Sequence, residues 1–213
     1  MPAVTTEGLI LKRKNFGEAD RVLTALTDRY GKISVMAKGV RRITSRRAGN
    51  IEILNRVKMH LFKAKNYILT EAESIETFSK LKENLTLSTS AFHIIELVDR
   101  LTPEEQKNPQ LYSLVISVLK ILNDNPRQIF IRAFEVKLLS MLGFWSIDAV
   151  REVDSEIKGV LENLEYSSWE QISQMKLNED QAVALEQIMR AYIEKTLESS
   201  LKSVKVMDRL KRN

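Results

Sequence analysis

A change of rhythm near residue 79 constrains the fold of this chain more than any other feature. Before it, short apolar runs alternate with a period of two and are separated by turn residues; after it, apolar residues recur at i, i+3, i+4 and i+7. The first pattern belongs to half-buried strands and the second to amphipathic helices. Strands are expected over Gly8 to Leu11, Arg21 to Thr27, Lys32 to Lys38, Val57 to Lys63 and Tyr67 to Ile75, with turns at Asn15-Phe16-Gly17, Tyr30-Gly31 and Lys65-Asn66. In the third run Ile33, Val35 and Ala37 would face inward and Lys32, Ser34, Met36 and Lys38 outward. In the fourth, Val57, Met59 and Leu61 take one face and Lys58, His60 and Phe62 the other. Five short strands of this kind suit a small Greek-key barrel of the OB type.

Beyond residue 79, Ala91, Ile94, Ile95, Val98 and Leu101 make one helical stripe, and Leu111, Leu114, Val115, Val118, Leu119 and Leu122 a second. Pro103, Pro109 and Pro126 punctuate them. A third helix after Pro126 would bury Ile131, Phe134, Leu138, Met141 and Leu142 and stop at Gly143 in the left-handed conformation. Ser168 with Gln171, and Asn178 with Gln181, read as capping boxes opening two more helices. Residues 146–166 are acidic and weakly patterned; Lys158-Gly159 could turn a small hairpin, and Glu152, Asp154 and Glu156 alternate as one solvated face of an extended segment would. The expected class is therefore α+β: a five-stranded OB-fold barrel over residues 1–79, then an all-helical domain over 80–213 with a reduced insert at about 146–166.

Charge divides at the same place. Residues 1–82 hold 17 Lys and Arg against 8 Asp and Glu, whereas 83–213 hold 16 against 20. Without cysteine there is no disulfide framework, thiol nucleophile or Cys-based metal site. No HExxH, GxxxxGK[ST] or GxSxG occurs, no apolar run approaches the ~20 residues of a membrane span, and the first residues lack the pattern of a secretory leader. The expectation is a cytoplasmic, non-enzymatic protein without membrane association, metal or cofactor. His60 is expected on a strand face among lysines, and His93 on the polar side of its helix, in a surface pair with Glu96.

The densest chemical feature is Lys38 to Arg47, five positive charges in ten residues without an acid. Such a run neutralises phosphates and releases counterions, giving salt-dependent binding with little base preference; a solvated loop is the competing reading. Candidate nucleic-acid-binding residues are Lys38, Arg41, Arg42, Arg46, Arg47, Lys58, Lys63 and Lys65. Lys32, Lys38, Lys58, His60 and Phe62 would extend the surface across the sheet, and Phe16, Phe62 and Tyr67 would offer stacking faces. In the helical part, Arg132 and Lys137 flank Phe134, Leu138 and Met141, which would suit an apolar groove with a positive edge.

These residues carry a resemblance. Glu7-Gly-Leu-Ile-Leu-Lys-Arg-Lys-Asn-Phe-Gly-Glu-Ala-Asp20, Leu23-Thr-x-Leu-Thr27, Tyr30-Gly-Lys-Ile and Ala37-Lys-Gly-Val-Arg-Arg42 with Ser45-Arg46 resemble, in order and spacing, the start of the bacterial RecO family. Arg132-Ala-Phe-Glu-Val-Lys-Leu-Leu-Ser-Met-Leu-Gly-Phe144 is similar to that family's F-E-x-x-L-L-x-x-L-G helix, and Leu201-Lys-Ser203 with Met207 and Leu210 to its C-terminal K-S segment. The resemblance implies a recombination mediator for DNA repair, associated with the nucleoid. Such a protein binds single- and double-stranded DNA, anneals complementary strands, and works with RecR to load RecA onto DNA coated by single-strand-binding protein. It further implies that Lys38, Arg41, Arg42 and Arg46 contact DNA, and that Arg132, with Phe134 and Leu138, meets the acidic tail of single-strand-binding protein. Many members carry a four-cysteine zinc module after the L-G motif; Ser146 to Tyr166 has no cysteine, so zinc is expected to be absent. A non-catalytic interaction scaffold and an RNA-binding OB protein are the alternatives that the residues leave open.

Overall fold

A computed structural model describes residues 3–43, 45, 47–150 and 153–211. Five strands, β1 (Ala3–Phe16), β2 (Asp20–Thr27), β3 (Gly31–Ala37), β4 (Arg56–Lys63) and β5 (Tyr67–Glu76), close into a barrel in the order β1-β2-β3-β5-β4. Neighbours are antiparallel except β3 and β5, which run parallel through Val35↔Tyr67 and Met36↔Ile68. The alternation seen in the sequence has its expected consequence. Leu23, Ala25, Ile33, Val35, Ala37, Val57, Met59 and Leu61 fill the interior, each at most 1% exposed. β1 runs five residues past Leu11, because a bulge between Ile10 and Lys12 lets the polar end keep pairing with β2 as far as Phe16↔Asp20.

Eight α-helices follow among the described residues: α1 (Ser79–Glu83), α2 (Leu85–Leu101), α3 (Pro109–Asp124), α4 (Gln128–Met141), α5 (Ser155–Tyr166), α6 (Trp169–Gln174), α7 (Glu179–Leu197) and α8 (Lys202–Lys211). Both capping boxes form: Ser168 and Asn178 accept N–H bonds from Gln171 (3.2 Å) and Gln181 (2.8 Å), whose side chains accept from the cap residues' own N–H groups. Gly143 ends α4 at φ 77°. The chain divides into two compact units. One holds the barrel up to Ser79 together with Val98–Ile116; the other holds Lys80–Leu97 and the residues from Ser117 on.

The structure corrects four sequence expectations. Met141, expected in the core, is exposed at the end of α4, because the buried face of that helix closes at Leu139. Lys158-Gly159 turns no hairpin: it lies inside α5, whose N-cap is Asp154, accepting from Glu156 N–H, so Asp154 and Glu156 belong to a helix start; Glu152 lies outside the described residues. Lys32 does not face solvent. Residues of the 99–105 segment lie over it, with Nζ donating to the Asp99 carbonyl and Glu105 N–H donating to the Lys32 carbonyl at 2.8 Å. His93 is not on a surface. It is 2% exposed, with Nε2 2.6 Å from Glu135 Oε1 and Nδ1 3.2 Å from Ser203 Oγ. The reason lies in α4, where ten of fourteen residues are buried. A helix covered nearly all round has no polar side to give away, so its Arg132 and Glu135 are enclosed as a pair. Arg132 Nη1 stands 2.9 Å from Glu135 Oε2, an ion-pair contact off the hydrogen-bonding direction.

Candidate nucleic-acid interface

The segment joining β3 to β4 is held against the barrel. Val40, Ile51 and Leu54 are fully buried, so the exposed cations lie between residues that plug the core. Leu54 N–H donates to Ile10 O (2.9 Å), Ile10 N–H to Asn55 O (3.0 Å), and the Asn55 amide to the Gly49 and Asn50 carbonyls. Arg47 is committed to this scaffold. Nη1 donates to Leu69 O (2.9 Å) and Thr70 O (3.2 Å), and Nη2 to Lys38 O (2.8 Å), tying the segment to β5 and to the end of β3.

A second set of bonds latches the basic run to the β1–β2 turn. Asp20 Oδ1 accepts from Gly39 N–H (2.7 Å), Arg41 N–H donates to Ala19 O (2.9 Å), and the Arg41 guanidinium reaches Gly17 O (3.2 Å). Gly39 (φ 67°) and Gly17 (φ 55°) supply the left-handed backbone these turns need. Lys38, Arg41 and Arg42 are thereby presented, exposed, beside Lys14 and Phe16 at the end of β1. Glu18 is the exposed carboxylate of the same turn. Nearby Arg13 and Arg21 are already met by Glu52, with Arg21 Nη1 at 3.7 Å.

From Lys14 a cross-strand row runs around the barrel through Lys14↔Val22, Val22↔Met36, Met36↔Ile68 and Ile68↔Phe62. These four apolar side chains are half-buried, on the outer face, and the row contains no acid. In the OB architecture this face, between the β1–β2 and β4–β5 loops, is the one that takes oligonucleotides and oligosaccharides. Lys63 and Lys65, both exposed, border it at the β4–β5 turn. Lys63 Nζ sits over the Tyr67 ring at 4.9 Å, and the Tyr67 hydroxyl raises its pKa.

On β4 the cations stand opposite carboxylates. Lys58 faces Glu7 on one neighbouring strand and Glu73 on the other, and His60 faces Thr5, which it hydrogen-bonds at 3.0 Å, and Glu71. Tyr67, 4% exposed and against Tyr30 at 5.8 Å, is core; Phe62 is half-buried and Phe16 open. Arg46 lies outside the described residues. Lys14 was missed by sequence reasoning, although the triplet Lys12-Arg13-Lys14 signals it, because the apolar alternation of β1 stops at Leu11.

In the helical unit, Phe134 and Leu138 are fully buried, so neither opens a groove beside Arg132. Lys137 donates to the Glu165 and Ser167 carbonyls, and burial lowers its pKa despite the nearby Glu165 carboxylate. Among the described residues, no group of three or more acidic or histidine side chains is placed to hold a metal ion, and no helix is long and apolar enough to cross a membrane.

Comparison with known proteins is consistent along most of the chain. Residues 1–78 match the family model described as recombination protein O N terminal, and residues 82–145 match recombination protein O C terminal. The chain is similar to proteins named DNA repair protein RecO. One from Symbiobacterium thermophilum is 35% identical over 147 residues, covering 68% of this chain and 58% of the relative. Another from Roseiflexus is 36% identical over 141 residues, covering 65% and 50%, and one from Listeria monocytogenes is 30% identical over 141 residues, covering 65% and 55%. The matches thus span between half and three-fifths of these relatives' length.

Proposed function

We propose, from the premise that this chain belongs to the RecO family, that it is a DNA-repair protein whose barrel binds the phosphates of single- and double-stranded DNA and brings complementary strands together. The observation that carries the reading is the latched basic run. Lys38, Arg41 and Arg42, with Lys14, are exposed at one rigid end of the barrel, and among the described residues none of their side chains reaches a carboxylate in an ion pair. Arg46 belongs to the same run by sequence, and Lys63 and Lys65 lie at the far border of the apolar row. Arg47 supports the site by holding it in place. Cations fixed in this way neutralise two strands at once and lower their mutual repulsion, so base pairing proceeds without nucleotide hydrolysis. The role extends to a cytoplasmic, nucleoid-associated mediator that works with RecR to load RecA on DNA covered by single-strand-binding protein, contacting that protein through the helical unit.

The test is a salt-dependent binding and annealing assay with the whole chain. Reversing Lys38, Arg41 and Arg42 to Glu should weaken binding at least about tenfold and flatten the dependence of log affinity on log salt by roughly 0.7 per lost single-strand phosphate contact. Unchanged affinity at moderate salt would overturn the reading. Adding single-strand-binding protein and RecR in separate arms tests the partners.

A further inference from the structure

The same end of the barrel carries two apolar side chains that the phosphate reading does not use. Ile43 is fully exposed, and Phe16 is 56% exposed. Ile43 is the first corner residue of a turn closed by Ser45 N–H donating to Arg42 O at 2.9 Å, a position where polar side chains or proline are the usual occupants. Phe16 opens the β1–β2 turn. The bonds from Gly39 and Arg41 to Asp20, Ala19 and Gly17 hold these two turns to each other. Arg41 and Arg42 immediately precede Ile43, and Lys14 lies two residues before Phe16.

We propose that Ile43 and Phe16 act together as a wedge that enters the base stack of DNA held by the surrounding cations. This rests on the phosphate-binding reading and adds a specific role to it. Cations that engage the backbone bring neighbouring side chains up to the bases, and an isoleucine or phenylalanine so placed gains by inserting between base steps and unstacking them. The occupant is set by charge and by the surface that follows. Lys14, Lys38, Arg41 and Arg42 call for a polyanion, and the row Val22, Met36, Ile68, Phe62 continues from Lys14 as an acid-free face along which displaced bases can lie. A wedge would hold newly paired steps open long enough for mispaired registers to separate, so it makes annealing more selective.

The experiment uses the whole chain and a duplex in which a fluorescent adenine analogue, bright when unstacked, lies beside a mismatch. Binding should raise its emission. Ile43→Ser combined with Phe16→Ser should cut that rise at least threefold with the salt dependence of binding unchanged, because no cation is removed, while Ile43→Leu should preserve it. Both side chains are exposed, and an unchanged melting temperature would show that the variant is folded. Wild-type binding without a rise in emission, or a rise retained by the double serine variant, overturns the wedge and leaves the phosphate reading standing. Absence of wild-type DNA binding at moderate salt overturns both. Vesicles of anionic phospholipid form the last arm: if the serine variant loses vesicle binding and keeps the DNA signal, the apolar tips serve a membrane surface and the proposal fails.

Discussion

At the scale of single residues, the structure separates charges that face outward from charges that hold the protein together. Arg41, Arg42 and Arg47 look alike in sequence, yet Arg47 is occupied by three backbone carbonyls and Arg42, among the described residues, by none. That difference was illegible in the sequence, because it depends on where β5 places Leu69 and Thr70. Glu18 is an exposed carboxylate on the latched turn that opposes a polyanion, so Glu18→Gln should tighten DNA binding by about two- to threefold at low salt, with the gain vanishing as salt rises; a titration at two ionic strengths checks it. In the helical unit Glu135 serves both Arg132 and His93. Glu135→Ala leaves a buried guanidinium without its partner and should cost about 3–5 kcal/mol, read as a large fall in melting temperature.

At the scale of elements, the strands and the capped helices were legible because they rest on local periodicity and local hydrogen bonds. What tertiary context decided was less so: α5 was hidden by its weak apolar pattern, and the burial of His93 by the central position of α4. The C-terminal helix shows the same dependence. The α8 start is held by Glu96 of α2, whose carboxylate accepts from Lys202 N–H (2.9 Å) and Ser203 N–H (2.8 Å). Burial pushes the Glu96 pKa up, but those bonds outweigh it and the net shift is downward. A carboxylate with a lowered folded pKa adds stability above its unfolded value and loses it as pH falls through the folded one. The docking of α8 should therefore be complete above about pH 4.3 and weaken progressively below it. Hydrogen exchange of α8 across that range checks this, and Glu96→Gln should flatten the dependence.

At the scale of the whole molecule, the chain leaves the barrel at Ser79 and returns to its unit for Val98–Ile116, a non-local arrangement that helix periodicity does not report. Gly31 marks the return: with φ 69° it lies so close to Gln106 that an added Cβ would overlap that residue's backbone. Gly31→Ala should cost about 1–3 kcal/mol. Hydrogen exchange should show 98–116 losing protection together with the strands while residues from 117 on keep theirs; the opposite grouping would refute the division. The carboxylates on either side of Lys58 have a kinetic consequence. Glu71 and Glu73 border the β4 cations and Glu7 is taken up in an ion pair with Arg56, whereas Lys14, Lys38, Arg41 and Arg42 stand exposed at the latched end, so the barrel's uncompensated positive charge gathers there. On the proposed function, a polyanion drifting in is drawn to the latched end before contact, so productive collisions come from a restricted solid angle. Association is then fastest in dilute salt and slows as the field is screened.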